Sequence, residues 1–172
     1  MTAQGFELWG KYRATVVNNV DPLNVGRIQV MIPDVSNYIP SSWAMPCVPY
    51  ASKQAGFFAI PQIGDGVWIE FEQGDPDYPI WVGGFWGLAA EVPAIALATP
   101  TPVPHVVIQT TLQNTIQVSD LPGPTGGILL KTTTGAMISI SDVGITITNG
   151  KGAILTMIGN AVDINAGALT VL

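Results

Sequence analysis

Histidine and cysteine each occur once in this sequence, as His105 and Cys47. A single cysteine excludes an intrachain disulfide and any multi-cysteine metal site. A single histidine leaves no His-x-His pair for iron or zinc. Basic side chains are also scarce: Lys11, Arg13, Arg27, Lys53, Lys131 and Lys151, scattered along a chain of net charge −6. No basic stripe marks a site for nucleic acid or an anionic membrane. Charged residues make up 10% of the chain and apolar residues 48%, whereas an average soluble domain carries roughly 25% charge. A monomer so poor in charge cannot easily clothe its own surface in polar groups. The composition therefore points to obligate association, with part of the surface buried between subunits.

Long apolar helices are missing too. The most apolar stretch, Leu88 to Ile108, holds Glu91 and the prolines Pro93, Pro100, Pro102 and Pro104, which exclude a membrane-spanning helix. The N-terminus M-T-A-Q-G-F-E-L-W-G lacks the positive segment and apolar core of a secretory signal. Synthesis and folding in the cytoplasm is the expectation.

Aromatics are absent from the whole second half, since every Phe, Tyr and Trp lies at or before Trp86. Large aromatics build thick cores between layers, so residues 1–87 read as a globular domain whose core they help to fill. Its signals are strands and turns. Tyr12, Ala14 and Val16 alternate with Arg13, Thr15 and Val17, then D-P-L-N-V-G makes a turn before Ile28, Val30 and Ile32. Ile63 to Gly66 is a second turn before Val67 to Glu72, and G-D-P-D-Y-P a third before Ile80 to Trp86. Short strands without any helical period suit a small Greek-key barrel of OB type.

Residues 88–105 read as a proline-rich linker, extended and partly polyproline-like. From 106 to 172 a short repeat takes over: I-S-I-S, I-T-I-T, L-T-M-I, V-D-I-N and L-T-V-L, with glycines between the units. Unit starts from Ile138 advance by 7, 10, 7 and 7 residues, the self-similarity of a β-solenoid or β-helix. One strand face carries Ile138, Ile140, Ile145, Ile147, Leu155, Met157, Val162, Ile164, Leu169 and Val171, and the other mainly Ser, Thr, Asp and Asn. One chain offers that file nothing to pack against. Three copies wound about an axis would bury it in a shaft on the order of 40 Å long, counting about eight strands at roughly 4.8 Å. A single-chain solenoid is the alternative, but it normally needs longer coils and caps. The expected fold is all-β, an OB-like Greek-key barrel followed by an intertwined trimeric β-helix.

Here the residues meet a known pattern. Trp43 to Tyr50, and above all P-Q-I-G-D-G-V-W-I-E-F-E-Q-G-D-P-D-Y-P from Pro61 to Pro79, resemble the phage baseplate assembly protein V family. Gly10 to Val30 resembles the first strands of the same domain, and the glycine-cornered half resembles that family's triple-stranded β-helix. The family includes central spikes of contractile phage tails, type VI secretion systems and extracellular injection systems. The resemblance implies a homotrimer seated on a baseplate hub protein and driven through a target envelope, the membrane being only what is pierced. It also implies a particle assembled in a phage-tail-like way. No lysozyme domain follows the barrel and no hub domain precedes it, so the hub is expected to be a separate protein. The repeat runs to Leu169, Thr170, Val171 and Leu172 without a polar cap, an open end that natural proteins cover. The resemblance suggests a cone-shaped PAAR-type protein as the tip docked there.

Other chemistries compete with simpler roles for the same residues. Glu70 and Glu72 share a strand face, about 7 Å apart, a separation glycosidase carboxylates can have, but without a visible cleft an exposed polar face explains them. Glu72, Asp75 and Asp77 could chelate calcium, yet lack EF-hand spacing, and turn bonding accounts for the aspartates. His105 is placed at the linker's end. Cys47, between Pro46 and Pro49, reads as a small buried apolar group. An OB module for nucleic acid or polysaccharide and a tail-associated peptidoglycan hydrolase are the alternative functions. The first has the aromatics but not the basic groove. No catalytic residue, metal or cofactor is expected.

Overall fold

The structure is a computed structural model that describes residues 7–36 and 38–171. It divides after Gly87 into two compact units.

In the first unit, β1 (Tyr12–Asn18) pairs with β2 (Gln29–Met31) and β6 (Gly66–Phe71), and β6 pairs with β7 (Pro79–Phe85). A short β3 (Met45–Pro46) runs parallel to β7, giving the order β2-β1-β6-β7-β3. Bridges Met31↔Pro40 and Ile28↔Ala44 join β2 to the segment leading into β3 and close the barrel. Register shifts in both the β1–β2 and β6–β7 pairs add the bends that a small closed barrel needs. The hairpin β4 (Ala51–Ser52) and β5 (Ala55–Gly56) stands apart, and one helical turn, α1 (Pro33–Ser36), follows β2.

Alternation dictates what is inside. Ala14 and Val16, Ile28, Val30 and Ile32, and Val67, Ile69 and Phe71 are all buried, while Arg13, Thr15 and Lys11 face out. The expected aromatic core is not found. Among the described residues only Phe71 and Trp81 of the aromatics are buried in it, and Trp9 and Trp86 are 65% and 64% exposed. The interior of so narrow a barrel is filled by branched aliphatics, which pushes the larger rings outward. There Arg13 lies 5.3 Å from the ring centroids of both Trp68 and Phe85, and Arg27 lies 5.3 Å from Trp43. Such cation–π contacts give outward rings a use.

The second unit is one eight-stranded antiparallel sheet in simple chain order. Its strands are β8 (His105–Gln109), β9 (Thr115–Ser119), β10 (Gly127–Lys131), β11 (Met137–Ile140), β12 (Ile145–Thr148), β13 (Ile154–Ile158), β14 (Ala161–Ile164) and β15 (Leu169–Val171). Each strand returns beside the one before it, so within a single chain the repeat is a meander. Any winding about an axis is a relation between chains. Residues 88–104 depart from the extended conformation expected: Ala94–Leu97 form a helical turn, α2, with Pro93 at its N-cap. Proline blocks helix only downstream of its first turn, and Ala-Ile-Ala-Leu behind it is a good helix former.

Candidate subunit interface

The registry of the second sheet decides its chemistry. Directly opposed residues of an antiparallel pair lie on the same face. Ile138 opposes Ile147, Ile147 opposes Leu155, Leu155 opposes Ile164, and Ile164 opposes Leu169. Beside this file runs a second, Ile140, Ile145, Met157 and Val162, with Val171 next in backbone register. Nine of the ten residues singled out from the repeat therefore share one face, and the backbone of Val171 continues the register. Both files continue upstream, through Leu130, Ile116 and Ile108, and through Ile128, Val118 and Val106. The sequence signal for these six was weaker because their spacing is irregular.

This face is open in the single chain. Val106 and Ile108 are 62% and 57% exposed, and a groove of about 490 Å³ runs along Ile108, Ile116, Leu130, Ile138 and Ile147. Thr115, Gln117 and Ser119, on the opposite face of β9, are buried. The expectation of a freely exposed polar face is therefore corrected for the first strands. The α2 turn packs against β8, Asp120 N donates to Pro104 O at 3.0 Å, and Thr99 is buried with them. Polar groups inside and aliphatics outside reverse the order of a sheet that folds to stand alone.

The hairpin turns are tied to one another along both sides of the sheet. Thr133 N donates to Asn114 Oδ1 and Ile154 N to Asn165 Oδ1, linking alternate turns on one side. On the other side Gly123 N donates to the carboxylate of Asp142 at 2.9 Å. These bonds fix the heights of the linked turns relative to one another. At its far edge β15 pairs on one side only, with β14, and Leu169 is half-exposed. Of the proposed docking residues, Thr170 and Val171 are in backbone register with Asp163 and Val162, and Leu172 lies outside the described residues.

The geometry separates the barrel's two candidate carboxylates. Glu70 does not share a strand face with Glu72: β6 ends at Phe71, and Glu72 opens a helical turn over Glu72–Gly74. Glu70 is ion-paired with Lys11. Asp75 accepts from Asp77 N at 2.9 Å, a turn bond of the kind expected. His105 begins β8, its Nδ1 3.0 Å from Val103 O. Cys47 is exposed rather than buried, since Cys47 N is bonded to Trp81 O beyond the short β3 and the side chain faces outward.

Two features of the barrel were not foreseen. Asp21, read as a turn residue, is buried and receives Leu23 N, Val25 N and Arg27 N, while Arg27 Nη2 pairs with its Oδ1 at 2.6 Å. The guanidinium first, and those backbone donors after it, hold its carboxyl far below the usual carboxylate range, against the opposing effect of burial. The second is a groove of about 790 Å³ between the β4–β5 hairpin and the barrel, lined by Tyr50, Phe57, Phe58, Ile60 and Trp81 with no charged residue. The only sequence signal for it was the pair Phe57-Phe58.

Comparison with known proteins agrees with this layout. A family model described as the type VI secretion system/phage-baseplate injector OB domain matches residues 12–86. Another, described as the phage baseplate V C-terminal trimerisation domain, matches residues 105–170. Between them they take in the barrel and the meander. The chain is also similar to two curated proteins of Vibrio cholerae serotype O1. It is 40% identical over 62 residues to an actin cross-linking toxin, VgrG1, and 39% identical over 64 residues to a type VI secretion system spike protein, VgrG3. The matched stretches make up 34% and 35% of this chain but 6% of each relative's length.

Proposed function

Because the chain belongs to the phage baseplate V family, we propose that it is the trimeric central spike of a contractile injection machine, a mechanical part rather than an enzyme. The observation that carries this reading is the open double file of aliphatics on a sheet whose polar face is partly covered. Only other protein can cover such a face, and the match to a trimerisation domain supplies the number of copies. Three sheets set around one axis with the files inward bury them in a dry prism. Axial load is then shared between the strand hydrogen bonds of each wall and the common apolar core.

In this reading the barrels sit on a separate hub protein of the baseplate, and the β15 ends of the three walls carry a tip protein. Contraction of a sheath drives the assembly through the target envelope. The chain is made in the cytoplasm and built into a phage-tail-like particle. Sedimentation of the purified protein tests the core of the proposal: a species of three times 18.1 kDa is expected at micromolar concentration. A stable folded monomer overturns it.

A further inference from the structure

The second unit carries few charges: Glu91 in the covering segment, His105 and Asp163 on strands, and four that lie toward the two turn sides of the sheet. These four are segregated by sign. Lys131 ends β10, beside the turn into β11, and Lys151 lies in the turn between β12 and β13, on the same side. Asp120 follows β9, and Asp142 lies in the turn between β11 and β12, on the opposite side. All four are exposed, and among the described residues none has an ion-pair partner within the chain.

Their heights interleave. Along the stack of strands the order is Asp120, Lys131, Asp142, Lys151, successive members lying about one to one and a half strand spacings apart, roughly 5 to 7 Å. Rotational symmetry about an axis parallel to that stack sets one side of each wall against the opposite side of the next, because cyclic contacts above the two-fold are heterologous. The basic side of every wall must then face the acidic side of its neighbour. A lysine side chain spans such a step.

We propose that Lys131 and Lys151 of each copy form an ion-pair ladder with Asp120 and Asp142 of the adjacent copy, and that this ladder fixes the axial register of the three walls. The inference rests on the trimeric reading above and identifies the seams that close it. The apolar files alone cannot set register, since a slip by whole strands still lays aliphatic against aliphatic. Exposed pairs contribute little affinity each, but misplacing them sets like charges together, which is how interfaces gain specificity.

The test uses the full chain in three charge variants: Lys131→Glu with Lys151→Glu, Asp120→Lys with Asp142→Lys, and all four together. Each double variant makes both sides of the wall the same sign and should lower the trimer association constant roughly a hundredfold at low salt. The fourfold variant restores opposite signs and should assemble more tightly than the Asp120→Lys, Asp142→Lys double, which shares its loss of the carboxylate that accepts from Gly123 N. Urea titration followed by sedimentation reads this without masking charge, and added sodium chloride should close the gap between the Lys131→Glu, Lys151→Glu double and native protein. A lysine double that assembles as the native chain does, or a fourfold variant as weak as the aspartate double, overturns the ladder while leaving the trimer intact. A monomeric native chain instead overturns the trimeric reading itself.

Discussion

Ile138 stands directly opposite Ile147 across β11 and β12, yet in the single chain the two are 38% and 41% exposed. Cross-strand aliphatic pairs are normally where a sheet buries most. Here the burial falls on Thr115, Gln117 and Ser119 of the other face. The covering segment lies on the polar side and the apolar side is left open, which in the proposed trimer is the surface the copies share.

Asp21 is a different kind of device, a buried carboxylate around which the β1–β2 loop is wrapped. Its folded pKa is depressed, so the stability it contributes is present above the ordinary carboxylate pKa of about 4 and is lost as pH falls below that toward the folded value. Asp21→Asn should lower the melting temperature of the barrel at neutral pH. It should also flatten the decline of melting temperature between about pH 4 and pH 2. Glu70→Gln, which removes an exposed pair, should do neither.

The turn between β12 and β13 offers a sharper contrast. Gly150 and Gly152 both have positive φ, 71° and 107°. A Cβ on Gly150 would lie 2.6 Å from Thr134 O and 2.7 Å from Ala136 N of the neighbouring turn, whereas one on Gly152 meets nothing within 4 Å. Gly152→Ala should cost only the backbone strain, about 1 to 2 kcal/mol. Gly150→Ala adds a clash with fixed backbone and should cost at least about 3 kcal/mol. Thermal denaturation of the two variants measures the difference.

Cys47 provides a simple check on the barrel surface. Its exposure predicts that native protein takes up one equivalent of a maleimide per chain without denaturant. Labelling that waits for denaturant would place the side chain inside.

How much of this could be read in advance depended on how local the signal was. The strands of the repeat, and the face each aliphatic takes, follow from strict alternation between glycine corners, and β11 to β14 lie within a residue or so of the spans read from it. The barrel's Val67, Ile69 and Phe71 were legible for the same reason. What failed were inferences about neighbours. Whether Trp9 and Trp86 reach a core depends on barrel radius, and whether Cys47 is covered depends on what lies across from β3. The role of Asp21 depends on three residues, Leu23, Val25 and Arg27, folding back around it. The charge segregation of the wall becomes visible only once strand order assigns each turn to a side.

The faces of the wall can be tested with one pair of substitutions on adjacent residues. Ile147 belongs to the aliphatic file, while Thr146 opposes Ser139 and Thr156 on the polar face. In the proposed trimer Ile147→Asp brings three carboxylates toward one axis, and an unpaired buried charge costs at least several kcal/mol even after relaxation. Assembly should be lost at neutral pH, with the chain running as a monomer or aggregate, and acidification should restore part of it by protonating the new side chains. Thr146→Asp places the same group on the other face, where it gives up only strand propensity, within about 1 kcal/mol. It should therefore sediment as the native protein does. Equal melting temperatures for the two variants would mean that the apolar face is not the one the copies share.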